Sequence, residues 1–186
     1  AAKAATVTIG EAVKLTVSGS TTTPATGASV NLTITAKDVN NATVTTYTGS
    51  HNLVFSGASS SPGGNAPTVS NSSGSAIAFG AATALNFSSG VASVSGNNNG
   101  VLRVYKAGAA NVVATETSVT TPAPLALTAS PAATRFVITA ASATPAAGAA
   151  DDLTITAQDA YGNVATGYAG AKNLVFSGAN PSAGGN

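Results

Sequence analysis

The stretch "NLTITAKDVNNATVTTYTGSHNLVFSGA" at residues 31–58 returns as "DLTITAQDAYGNVATGYAGAKNLVFSGA" at residues 152–179. Pro24 falls on Pro145, Leu32 on Leu153, Asp38 on Asp159, Tyr47 on Tyr168, Phe55 on Phe176 and Asn65 on Asn186, always at an offset of 121. Between 24–65 and 145–186, 24 of 42 aligned positions are identical and no gap is needed. Chance similarity in a chain of simple composition does not match Tyr, Phe, Asp and Pro together in one ungapped register, so this is an internal duplication. A solenoid repeats every 20–50 residues or so, and a period of 121 residues is instead the size of a whole domain. The chain therefore divides into an N-terminal strand or linker (1–13), a complete unit (14–121), a Pro-rich linker (122–134) and the first half of a second unit (135–186).

Within the unit the hydrophobic period is two. "NLTITAKD" sets Leu32, Ile34 and Ala36 on one face and Thr33 and Thr35 on the other, as a half-buried strand requires. "KLTVSGS" and "GVLRVYKAG" alternate in the same way, and "ALNFSSGVASV" is expected to form a hairpin through Ser-Ser-Gly. Turn-rich pieces such as "NNATV", "SPGGN", "NSSGS" and "GNNNG" punctuate these runs, and no stretch carries a helical period with a cap. The expected fold is all-β, an antiparallel β-sandwich with an Ig-like outline. Residues 57–82, rich in Gly, Ser, Asn and Pro, are expected as a long decorated loop carrying a short edge pair. The segment 117–135 holds three prolines and is read as an extended spacer or an edge strand.

Composition narrows the function classes. Hydrophobic residues make up 44% of the chain and charged ones only 7%, so the surface is built from Thr, Ser, Asn, Ala and Gly. A net charge of +1 without a basic cluster gives nothing to steer the protein to nucleic acid, and no run is long enough to insert into a membrane. With no Cys, packing and hydrogen bonds must hold the fold. The opening "AAKAATVTIG" is read as that of a processed protein or of a segment of a longer one.

No residue set repeats as catalysis would demand. The single His, His51, aligns with Lys172, and is read as a solvated loop-edge residue. No close carboxylate pair recurs in both copies, and no Gly-x-Ser-x-Gly elbow is present. The chain is read as not an enzyme. Calcium would need six to eight oxygen ligands; Asp38 with Asn40 and Asn41, or Asp159 with Asn163, offer two or three, and Asp151 and Asp152 at the unit junction are the better candidates, against the simpler reading of an Asp that bonds its own turn. The Thr-x-Thr pairs at 33–35, 43–45 and 154–156 fit strand propensity on an uncharged surface. Sequons at Asn31, Asn41, Asn71 and Asn86 matter only in a host that glycosylates.

At "DAYGN", Asp159–Asn163, followed by "NLVFSG", the pattern resembles bacterial Ig-like repeats of the invasin and intimin type, and so does "FSSGVASVSG…GVLRVYKAGAANVVAT" in the later half of the unit. The first copy departs at that motif, with "DVNN" at Asp38–Asn41, where Asn stands in the position Gly takes in the second copy. The resemblance implies tandem modules of long secreted or surface-anchored bacterial proteins, hence an extracellular or cell-surface location. An Ig-like unit cut after its third strand leaves a bare apolar face of Phe136, Ile138, Leu153, Ile155, Leu174 and Phe176. That face is the expected assembly surface, completed by neighbouring repeats of a longer array, by the chain's own N-terminal strands, or by a second molecule in a head-to-tail homopolymer. The alternative is an adhesin module whose 57–82 loop recognises a carbohydrate or a host protein.

Overall fold

A computed structural model describes residues 10–179. Residues 1–9 and 180–186 lie outside the described residues, and with them most of the expected N-terminal strand and the "AGGN" end of the second copy. The chain is all-β, with no helix among the described residues. Its strands in order are β1 (Lys14–Gly19), β2 (Ser29–Lys37), β3 (Gly49–Ser56), β4 (Thr68–Ser70), β5 (Ala76–Ala78), β6 (Ala82–Phe87), β7 (Val91–Ser93), β8 (Val101–Arg103), β9 (Gly108–Glu116), β10 (Val119–Thr120), β11 (Leu125–Ala129), β12 (Arg135–Ala140) and β13 (Leu153–Gln158).

Strands β1 to β11 form one sheet that nearly closes into a barrel, running β5-β4-β8-β2-β1-β10-β9-β3-β6, with β11 also on β9 and β7 also on β2. Two stacked sheets were expected. The path runs on because β1 is bonded on both edges, antiparallel to β2 along its whole length and parallel to β10 at Lys14↔Thr120. The expected hairpin over 84–94 is not a ladder. Strand β6 pairs with β3 and β7 with β2, and only the bridge Ser88↔Val91 joins the two, so this tight turn carries the chain across the gap that remains in the barrel.

Alternation explains the core. In β2, Val30, Leu32, Ile34 and Ala36 are buried while Ser29, Asn31 and Thr33 face water, as the two-residue period dictates. Leu53 and Phe55 of β3, Leu85 and Phe87 of β6 and Val112 and Ala114 of β9 point into the same cluster. Of the two readings of the 117–135 segment, the edge strand is realised: β11 pairs with β9 from Leu125↔Val112 to Ala129↔Gly108 and buries Leu125, Leu127 and Ala129. The expected short edge pair within 57–82 also forms, as β4 against β5, and β4 joins β8 at Val69↔Leu102. Among the described residues the apolar cluster runs from Leu15 to Ala129, so the leading body closes its core without the trailing segment.

The trailing segment is a separate two-stranded sheet, β12 against β13, from Arg135↔Gln158 to Ala140↔Leu153. Residues 169–179 form no strand.

Candidate functional site

Two features of the trailing segment bear on assembly: the turn after β13, and the uncovered face around it. The turn is built by one carboxylate. Asp159 Oδ1 accepts the amides of Tyr161 (2.9 Å) and Asn163 (2.8 Å), and Gly162 closes it at a φ of 83°. The same turn stands after β2: Asp38 Oδ1 accepts the amides of Asn40 (2.9 Å) and Ala42 (2.8 Å), and Asn41 takes a φ of 66°. Asn tolerates the left-handed region better than most residues do, so the departure from Gly leaves the turn intact.

The side chains that the second turn adds reach into the leading body. Asn163 is buried there. Its Nδ2 donates to the Tyr105 carbonyl at 2.7 Å, and its Oδ1 accepts the Ala107 amide at 2.9 Å. Thr26 Oγ1 donates to Asp159 Oδ2 at 2.7 Å, the Gly63 amide donates to the Tyr161 carbonyl at 2.8 Å, and the Tyr161 ring meets Tyr105 edge-on with centroids 4.9 Å apart. Gly27 makes room for that ring: a Cβ there would overlap the Tyr161 hydroxyl, and its φ of 76° favours glycine as well. The Gly27 loop is itself pinned, its amide donating to the Val104 carbonyl at 2.7 Å and its carbonyl accepting Arg103 Nη1 at 2.8 Å. A neutral hydrogen bond contributes a net ~0.5–1.5 kcal/mol and one to a charged group ~1.5–3 kcal/mol. An aromatic pair adds ~0.5–1.5 kcal/mol. The joint therefore gains several kcal/mol, set against the cost of ordering the segment.

Electrostatics agree. Burial pushes the Asp159 carboxyl up, but hydrogen bonds from Thr26, from the Asn163 side chain and from the Asn163 and Tyr161 amides outweigh it and hold the group below its ordinary range. Asp159 is thus occupied as a structural acceptor. Asp151 Oδ1 accepts the Ser142 amide at 3.0 Å and Asp152 is exposed. These two precede β13 and Asp159 follows it, so the length of the strand separates that pair of calcium candidates from Asp159. Among the described residues, no three His, Cys, Asp or Glu side chains gather as a metal group would require.

The expected assembly face is largely uncovered. Phe136, Ile138, Leu153, Leu174 and Phe176 are exposed and Ile155 is partly covered. Phe136 packs edge-on against Tyr168 (5.5 Å), and Lys172 Nζ sits 4.9 Å from the centre of the Tyr168 ring.

His51 is not a solvated loop-edge residue. It shares the inward face of β3 with Leu53 and Phe55, stacks on Tyr47 at 3.7 Å, and places Nδ1 3.1 Å from Glu116 Oε1. The Tyr47 hydroxyl also donates to Glu116, and burial together with that neighbouring carboxylate pushes its pKa upward. A cavity of about 380 Å³ opens beside Tyr47, His51 and Val119. In both copies the residue at this position stands against the same Tyr, as an imidazole stack on the inward face of β3 in one and as an exposed cation over the ring in the other. Sequence reasoning missed this cluster and the whole socket of Thr26, Gly27, Gly63, Tyr105 and Ala107. The available signal was that Tyr161 and Asn163 replace Asn40 and Ala42 just after the repeated "LTITA" and a kept Asp, within a six-residue run where the two copies share nothing.

Compared with protein-family models, with curated proteins and with solved structures, the chain matches none, so the resemblance to bacterial Ig-like repeats rests on the motifs themselves.

Proposed function

We propose that this chain is a structural module of a secreted or cell-surface bacterial fibre or stalk, built from Ig-like β-sandwich units in tandem, and that its work is to extend and stiffen. The observation that carries the reading is the joint: a buried Asn and a buried carboxylate of the trailing segment are satisfied by the end of the leading body, which suits a semi-rigid series of units. The Ig-like reading of the leading body is supported by how little joins its two halves. Without the single parallel pair Lys14↔Thr120, the strands fall into β5-β4-β8-β2-β1 with β7 and β10-β9-β3-β6 with β11. A low surface charge opposes close packing only weakly.

The uncovered face of the trailing segment is the proposed means of self-assembly, completed head-to-tail by strands of a second copy. The adhesin alternative gains no specific support, since Gly63 is spent on the joint and β4 on the sheet. Electron microscopy with light scattering on residues 1–186 beside residues 14–134 tests the reading. Regular filaments from the longer chain alone are expected. Monomers of both at high concentration would remove self-assembly from the proposal.

A further inference from the structure

We propose that the Asp159–Asn163 turn is a docking key read by a matching socket at the end of the preceding unit, and that the Asp38–Ala42 turn is a version of the same turn from which the key has been removed. This rests on the tandem-unit reading above and goes further, because it assigns the residues that decide which unit can follow which. The partner that the key fits is a unit end offering a hydroxyl donor, as at Thr26, a glycine beside it, as at Gly27, and a free carbonyl and amide flanking an aromatic loop, as at Tyr105 and Ala107.

The two turns share their backbone and differ in what they present. Each has its Asp amide bonded to the carbonyl four residues on, at 3.0 Å in both, and each carboxylate binds the amides two and four residues on. The backbone of the turn therefore forms with either pair, Tyr161 and Asn163 or Asn40 and Ala42, and does not by itself demand the first. The Tyr161 ring is spent outside its own turn, on Tyr105, and the Asn163 side chain, besides donating to Asp159 Oδ2 at 2.7 Å within the turn, answers the Tyr105 carbonyl and the Ala107 amide. Placed in the socket, the Asp38 turn would keep its carboxylate and a backbone carbonyl. It would leave the Tyr105 carbonyl and the Ala107 amide without the side chain that answers them, which is the costlier half of a lost hydrogen bond. The socket has its own asymmetry in the copy: Gly148 keeps a φ of 77°, while Ala147 stands where Thr26 supplies the hydroxyl. Key and socket are thus complementary between the leading body and the trailing segment, and in neither place is the pair repeated unchanged. Junctions along such a chain are then specified in order, which guards against units seating on the wrong neighbour.

The test gives the trailing segment the other turn: Tyr161→Asn, Gly162→Asn and Asn163→Ala together in the full chain, followed by hydrogen exchange. The amides of Gly63 and Ala107, which donate across the joint, are expected to exchange roughly tenfold faster or more, while those of Phe55 and Ala114 inside the leading body keep their protection. The single variant Asn163→Ala, whose alanine the Asp38 turn shows to be compatible with this backbone, is expected to free Ala107 and spare the turn. Unchanged protection of Ala107 in both variants overturns the proposal. Filament formation is read separately by microscopy, so the key can fail while the fibre reading stands, and the reverse.

Discussion

The seven residues "NLVFSGA" occur twice and do not adopt the same structure twice. At Asn52–Ala58 they lie largely in β3, between β6 and β9, with Leu53 at 0% and Phe55 at 1% exposure. At Asn173–Ala179 they form no strand, and Leu174 and Phe176 stand 37% and 60% exposed. By contrast "LTITA" is a strand in both places, because its neighbour on one edge, β1 in the first case and β12 in the second, precedes it in the chain. The difference is one of partners. A strand needs hydrogen bonds along its edge and a covered face, and the partners of β3 both follow it, in residues 82–116, which the trailing segment has no copy of.

The sharpest way to break this comparison is to supply the partners. In a longer chain where residues 66–134 follow Asn186 a second time, Asn173–Ala179 should become a strand. The amides of Val175 and Phe176 should then gain protection on the order of a hundredfold or more in hydrogen exchange. Protection that stays at the level of the present chain would mean that the segment, not its surroundings, resists pairing. Next in size, Phe55→Ala should cost about 3–5 kcal/mol of stability in urea unfolding, whereas Phe176→Ala should stay within ~0.5 kcal/mol. Equal effects of the two would show that the trailing face is covered in solution.

Smaller still is the effect of Thr26→Val. It removes one hydrogen bond to a carboxylate and should weaken the joint by about 1.5–3 kcal/mol, read as faster exchange at Ala107 with the urea midpoint of the leading body unmoved. The smallest effect is that of pH. A carboxyl held below its ordinary value of ~3.9 stabilises the docked state fully above that value, and the contribution disappears as pH falls through the lowered one. The joint should therefore hold at neutral pH and loosen only in strong acid. Small-angle scattering would show the loss of a fixed arrangement, and Asp159→Asn should abolish the pH dependence. Only part of that dependence belongs to docking, since three of the four bonds that lower the group come from its own turn and only that of Thr26 crosses the joint.

Much of the architecture was legible because it is local. Alternation marks the strands, Gly and Asn mark the turns, and the spared Asp at 38 and 159 marks a turn that survives the exchange of Gly162 for Asn41. The alternation also names Leu32, Ile34 and Ala36 as core residues of β2 correctly, since one face of a strand follows from a period of two. What was not legible depends on pairs far apart in the chain. Nothing near His51 announces Glu116, nothing near Asn163 announces Tyr105, and Ser-Ser-Gly after β6 looks like a hairpin until β3 and β2 compete for the two arms.

By itself the sequence determined an all-β chain with a duplicated stretch, where the strongly alternating strands such as β2 lie, which side of them is apolar, and which turns hold without help. Only the tertiary structure decided that the strands run into one nearly closed sheet, that a histidine stacks on a tyrosine, and that Asp159 anchors a joint between two parts of the chain. The reason is physical. A side-chain period is written within one strand, whereas the partner of an edge, a buried amide or a carboxylate is supplied by whatever the fold brings beside it.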